Sequence, residues 1–137
     1  MTTETYTRLQ LAESQLRSAM GLFMTGQDRF SVITLAGAAD VILARLVLNS
    51  GKETFTDSML ERHRVAGGPS ERRETYGKAI NDTLSINQLK HMDDDEDGYI
   101  EIEPEECALA AILKALVNYL KIEDPKASMI KVHALRG

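Results

Sequence analysis

The chain has 137 residues, of which 43% are hydrophobic and 27% charged, the balance of an ordinary globular domain. This length suits one domain, residues 1–137, built around a single core. The single cysteine excludes an internal disulfide, and the N-terminal residues lack the basic start and apolar run of a secretory signal, so we expect a cytoplasmic protein.

The acidic residues are unevenly distributed along the chain. Residues 93–106 hold nine of the 21 Asp and Glu and no Lys or Arg, while the formal net charge of the whole chain is −5. Outside this segment 16 basic residues stand against 12 acidic ones (21 minus nine), a balance of +4. The acidity is therefore one local patch on a mildly basic body. Because a dedicated nucleic-acid binder would show a concentrated basic face, nucleic acid is a disfavoured partner.

Apolar residues with helical spacing mark the first half of the chain. They recur at three- and four-residue steps over about 5–25, which predicts an amphipathic helix that ends at Gly26. A second helix is predicted over 30–48, closed by Gly51. Both glycines suit the left-handed conformation that commonly follows a helix.

The second predicted helix is unusually apolar. Its only formal charges are Asp40 and Arg45, and small residues interrupt it. We therefore expect a buried central helix rather than a membrane span, and no membrane partner. Asp40 is interpreted as a hydrogen-bonded or paired core residue, because an isolated buried carboxylate is costly.

The middle of the chain has weaker helix signals. Ser58 and Glu61 have the spacing of a capping box, which predicts a short third helix from Ser58. Ser70 is suited to cap a fourth helix that runs to about Met92. Several weak helix formers in its middle make this helix the least regular of the set.

The last long helix is predicted to begin at Pro104, a residue suited to a first helical turn, and to run to Lys121. A short terminal helix is predicted after Pro125. The complete prediction is an all-α, antiparallel bundle of four to five helices, with an acidic loop before the last long helix.

Two of these helices, 30–48 and 104–121, carry broad apolar faces. In the second, the polar residues after the first turn are Lys114, Asn118 and Lys121, which form one narrow stripe. Because a small bundle buries one such helix at its centre, two of them predict burial against another chain, in a homodimer or with a protein partner. The alternative is that both helices share one core.

The acidic segment resembles part of a calcium loop. With Asp93 as the first position, Asp95, Asp97 and Glu101 also occupy ligand positions, and Gly98 stands at the sixth. The twelfth position, which should supply a bidentate Glu, is Pro104. We therefore predict a solvated acidic turn and no cofactor other than a weakly bound divalent metal. The alternative is a calcium- or metal-binding module that uses Asp93, Asp95, Asp97 and Glu101.

The stretch "LQLAESQLRSAMGLFMTGQDRFSVITLAGAADVILARLV" followed by "NQLKH", Asn87 to His91, resembles the HEPN superfamily (higher eukaryotes and prokaryotes nucleotide-binding), including small bacterial proteins of that kind. The similarity covers about residues 8–120. It implies a helical bundle, often dimeric, with a polar site at Asn87, Lys90 and His91.

The chain departs from the members of that superfamily that cut RNA. They carry an Arg with four to six residues between it and the His, and at those positions this chain has Ile86, Ser85 and Leu84. We therefore assign no catalytic residue and predict a non-enzymatic binding or interaction protein. One alternative is a HEPN-type ribonuclease or a metal-dependent hydrolase that uses His91 and nearby acids.

Overall fold

The structure is a computed structural model that describes residues 2–68 and 72–122. Within these residues it is all-helical, with no strands. The elements are α1 (Arg8–Met24), α2 (Arg29–Asn49), α3 (Phe55–Val65), α4 (Arg73–Thr83), α5 (Ile86–Lys90) and α6 (Pro104–Leu120). The predicted all-α class is confirmed. The predicted terminal helix after Pro125 and the predicted cap at Ser70 lie outside the described residues.

Both of the first two predicted helices are confirmed, together with the glycines that end them. Thr7 begins α1 with a capping box, in which its hydroxyl accepts from the Gln10 amide at 3.0 Å. Asp28 begins α2 by accepting from the amides of its first turn. Gly26 and Gly51 have φ of +69° and +79°, left-handed values that glycine adopts without strain.

The third helix begins four residues earlier than predicted. Thr54, not Ser58, is its N-cap, and the capping box is closed by Asp57. Ser58 instead accepts a hydrogen bond from Lys121 Nζ at 2.7 Å, and Glu61 pairs with Arg64. Two consecutive pairs with capping-box spacing compete in the sequence, and the chain uses the first.

The predicted fourth helix is two helices. Ser85 separates α4 from α5, with φ of +62°, the one left-handed residue other than glycine among the described residues. This turn brings the following residue, Ile86, into the core with 3% exposure. The break follows the stretch of weak helix formers, whose intrinsic preference does not resist it. Helix α5 ends at Lys90, two residues before the predicted end.

The core consists of two clusters that follow one another along α2. One cluster contains Ala19, Val32, Ile33, Ala36, Ile86, Ala108, Ala111 and Ile112, and the other contains Ala12, Leu16, Ala39, Leu43, Ala115 and Tyr119. Late residues of α1 meet early residues of α2, so these helices run in opposite directions. Early residues of α2 meet early residues of α6, so these run in the same direction. Helix α2 packs more extensively against α1 and α6 than those two helices pack against each other.

By length and composition alone, α2 could also cross a membrane. It has 21 residues and a mean hydropathy of 1.9 in its most apolar window, 44% of which is buried. The core helix of a compact bundle meets the same criteria. The buried Asp40 and the packing of α2 against α1 and α6 agree with the predicted central helix.

Asp57 joins the start of α3 to the start of α4. Its carboxylate accepts from the Thr54 amide at 3.1 Å and from Arg73 Nε at 2.5 Å. Burial acts to raise the pKa of this carboxyl, but the hydrogen bonds from Thr54 and Arg73 outweigh it and hold the pKa below its usual value. The charged form of Asp57 therefore stabilises the folded chain.

We expect Asp57→Asn to lower the free energy of unfolding by about 1–2 kcal/mol at neutral pH, the scale of a lost helix cap. Because the pKa of Asp57 is lower in the folded chain, its carboxylate stabilises the fold at pH values above its unfolded-state pKa near 3.8. This contribution disappears as the pH falls through the folded-state pKa. Urea unfolding should show the difference in stability from the unmodified protein closing as the pH falls through and below this unfolded-state value. Glu61→Gln, at an exposed ion pair, is the control variant. A stability difference for Asp57→Asn that does not change with pH would contradict the assignment.

Candidate functional site

The faces of α6 are unusual for a helix at the surface of a bundle. The predicted polar stripe exists, but Lys114 and Asn118 face inward, with 5% and 0% exposure. Four apolar residues form the exposed face instead. They are Leu109, Leu113, Val117 and Leu120, 44%, 51%, 36% and 55% exposed, and are called the α6 apolar stripe below. The polar stripe of α6 therefore meets α2, and an apolar side of the helix meets water.

A buried polar network joins α2 to α6. Lys114 Nζ donates to Asp40 Oδ2, and Asn118 Nδ2 donates to Asp40 Oδ1 at 2.6 Å. Asn118 Oδ1 then accepts from the Phe55 amide, the first residue of α3, at 2.7 Å. The prediction that Asp40 is a paired core residue is confirmed. Both oxygens of its carboxylate have a donor, as a buried charge requires.

Beside this network lies a cavity of about 560 Å³, here called the α2–α4 cavity. Asp40 and Lys114 are part of its wall. Its apolar wall comes from α2 and consists of Val41, Ile42, Ala44, Leu46 and Leu48. Its polar wall includes Thr56 and Asn81. A concave, mostly apolar space of this size with a few polar groups is typical of small-molecule sites.

Five cationic residues line the α2–α4 cavity, namely Arg8, Arg45, Arg73, Lys78 and Lys114. Arg73 is held by Asp57, and Lys78 by Asp82 at 2.9 Å, which raises the pKa of Lys78. Within residues 2–68 and 72–122, Arg8 and Arg45 have no ion-pair or hydrogen-bond partner of their own. They are the charges of this wall that remain available.

A second concavity, of about 720 Å³, is lined by α4, α5 and the following segment and is called the α4–α5 cavity. Of the predicted polar site, Asn87 and His91 line it, whereas Lys90 does not. Asn87 Nδ2 donates to Asp82 Oδ1 at 2.8 Å, and this bond, with the one from Lys78, lowers the pKa of Asp82. Asn87 is therefore already engaged within the bundle.

The acidic segment is closed by its own hydrogen bonds. The Asp93 amide donates to Glu96 Oε1 at 2.8 Å, and the Tyr99 amide donates to Asp97 Oδ1 at 2.9 Å. Of the predicted metal ligands, Asp93 lines the α4–α5 cavity, whereas Asp95, Asp97 and Glu101 do not. All four are exposed. Among the described residues, no three His, Cys, Asp or Glu side chains converge as a metal site would require.

Sequence reasoning identified Asp40 as a paired residue but missed its partners. Lys114 and Asn118 were predicted only as part of the narrow polar stripe of an otherwise apolar helix. The available signal was Asp40 itself. A carboxylate in an apolar helix needs a cation and a donor from another apolar helix, and α6 offers both at four-residue spacing.

No family model, curated protein sequence or solved structure matches this chain. The resemblance to the HEPN superfamily therefore stays a prediction from the sequence.

Proposed function

We propose that this chain is a non-enzymatic binding module that associates as a homodimer through the α6 apolar stripe. The observation that carries the proposal is the exposure of Leu109, Leu113, Val117 and Leu120 on one helix whose polar residues point inward. Burying apolar surface stabilises by about 25 cal/mol per Å². A continuous stripe of this kind therefore favours association.

A second copy is the occupant that the chemistry of the stripe fits best. At 100° per residue its four members fall within an arc of about 80°, so they form one narrow ridge. None is charged, so two copies meet without bringing like charges together in the centre. Around a two-fold axis at Leu113, the stripe of one copy lies against the stripe of the other, so the same residues line both sides of the interface.

We expect the unmodified protein to sediment as a dimer at micromolar concentration and Leu113→Glu to sediment as a monomer. The reason is that the substitution places two carboxylates opposite each other at the two-fold axis. Val65→Glu is the matched control, because Val65 is an apolar residue on α3, 75% exposed and outside the stripe, so this variant should stay dimeric. Circular dichroism checks that each variant is folded. Either an unmodified protein that sediments as a monomer or a Leu113→Glu variant that stays dimeric would contradict the proposal.

The proposal retains the cytoplasmic location and the HEPN-like, bacterial relationship predicted from the sequence. It retains the antiparallel arrangement for the α1–α2 pair, which the order of core contacts supports. The ribonuclease alternative would rest on Asn87 and His91 in the α4–α5 cavity. Asn87 is engaged with Asp82, and Lys78, the lysine on that wall, is paired with the same carboxylate. The phosphate-binding cation that such chemistry needs is therefore not offered there, and this supports the non-enzymatic reading.

A further inference from the structure

The α2–α4 cavity combines a charged rim with an apolar wall, a combination that the α6 apolar stripe does not explain. Its wall holds five basic residues, whereas the acidic residues on it are Asp40 and Glu74. Asp40 is occupied by Lys114 and Asn118, which leaves Glu74 as the remaining acid. Arg8 and Arg45, unpaired within residues 2–68 and 72–122, make the accessible charge of this wall positive.

Lys114 gives the cavity a built charged group rather than only surface side chains. It is 95% buried and lines the cavity, and it donates to Asp40. An ammonium group has three N–H donors, and Asp40 is its one hydrogen-bond acceptor among the described residues. Lys114 therefore has N–H donors left for an acceptor inside the cavity.

Asn81 supplies an unused acceptor on the same wall. Its Oδ1 is buried and has no hydrogen-bond partner within the residues that the structure describes. Asn81 lines the α2–α4 cavity and the α4–α5 cavity, so it stands where the two meet. Buried polar atoms are usually satisfied, and one that is not, beside an open space, points to a ligand with a donor group or to a bound water.

From these features we propose that the α2–α4 cavity binds a small amphipathic organic anion. Its carboxylate or phosphate group is held by Arg45, Arg8 and the free donors of Lys114. Its apolar body lies against the α2 wall of Val41, Ala44 and Leu48. A hydroxyl or amide donor on the ligand, where present, satisfies Asn81 Oδ1. The volume of about 560 Å³ fits a ligand of this class.

The test is a calorimetric titration of the full chain with a matched series of probes. Octanoate and octyl phosphate carry the two anionic heads, octanol is neutral, octylamine is cationic, and inorganic phosphate is a head without a body. We expect at least one of the two anionic amphiphiles to bind about tenfold more tightly than octanol or octylamine, the scale of one charge-assisted hydrogen bond. The stronger of the two identifies the head group. Inorganic phosphate alone should bind more weakly than octyl phosphate.

Two cavity variants and one control variant test whether binding occurs in this cavity. None of them changes the buried Asp40–Lys114 pair. Arg45→Gln should weaken the preferred anion about tenfold and leave octanol unchanged. Arg17→Gln, an exposed arginine of α1 outside the cavity wall, should change neither. Ala44→Trp should fill the apolar wall and weaken every amphiphile.

Three results would overturn the proposal. They are equal affinity for octanoate, octyl phosphate and octylamine, an Arg45→Gln effect no larger than that of Arg17→Gln, and binding unchanged by Ala44→Trp. Because the cavity wall contains none of the α6 apolar stripe, the same titration on Leu113→Glu should match the unmodified protein. The fate of the dimer and the fate of the anion site are thus separable.

Discussion

Replacing Lys114 by Met is expected to lower the free energy of unfolding by about 3–5 kcal/mol, because it leaves the carboxylate of Asp40 buried without its cation. Asp40 and Lys114 are each 5% exposed, so solvent replaces only a small part of the lost interaction. The measurement is urea unfolding followed by circular dichroism at one fixed protein concentration, since association would shift the apparent stability. Lys90→Met, at an exposed lysine, is the control and should change stability by no more than about 0.5 kcal/mol.

The double variant Asp40→Leu/Lys114→Met separates the loss of a charge partner from the loss of packing. Removing both charges with apolar groups of similar volume is often neutral or stabilising. We therefore expect the double variant to recover most of the free energy of unfolding that Lys114→Met loses. It should not recover all of it, because Asn118 keeps its bond to Phe55 but loses Asp40 as an acceptor. A double variant less stable than Lys114→Met would show that the pair does not act as a unit.

Gly37→Ala is expected to destabilise the chain relative to Gly21→Ala by about 1–3 kcal/mol, the cost of overpacking a core. A methyl group at Gly37 would stand 2.9 Å from Ile86 Cγ2, and Ile86 is a buried, branched side chain with little room to yield. A methyl group at Gly21 meets nothing within 4 Å. Gly21→Ala should therefore show only the helix-propensity gain of about 1 kcal/mol.

Thermal or urea unfolding of the two alanine variants measures this difference directly. A further pair locates its cause. Ile86→Ala removes the atoms that the new methyl group would meet, so it should be less costly in the Gly37→Ala background than in the unmodified chain. Equal costs in the two backgrounds, or equal stability of Gly37→Ala and Gly21→Ala, would contradict the close approach of α2 and α5.

The long helices were predictable because their signals are local. Apolar periodicity together with Gly26, Gly51 and Pro104 places α1, α2 and the start of α6 within a few residues. The start of α3 was not predictable, because two capping-box pairs follow one another directly in the sequence and local spacing does not decide between them. The position of the break at Ser85 likewise depends on tertiary contacts. A left-handed serine is unfavourable by itself and is held by the burial of Ile86 that follows.

The candidate sites were less predictable than the helices. Spacing shows that Lys114 and Asn118 share a face of α6, but it does not show whether that face meets water or Asp40, which is 74 residues away from Lys114. For the same reason, the sequence did not show which apolar residues of α6 are exposed. The Asn87 and His91 pair does reach one concavity, since it is local to α5, whereas Lys90 on the same short helix does not line it.

The shared direction of α2 and α6 has an electrostatic consequence for the acidic segment. Their first turns lie together, where Arg29 Nε donates to Glu105 Oε2 at 2.8 Å and lowers the pKa of that carboxyl. Helix macrodipoles that point the same way add, and the C-terminal end of α1 at this end of the bundle offsets one of the two. The run of acids that leads into α6 therefore approaches the N-terminal ends of α2 and α6, which carry partial positive charge. Acidic residues that repel one another in an extended chain thus lie where the partial positive charge of helix N-termini offsets part of that repulsion.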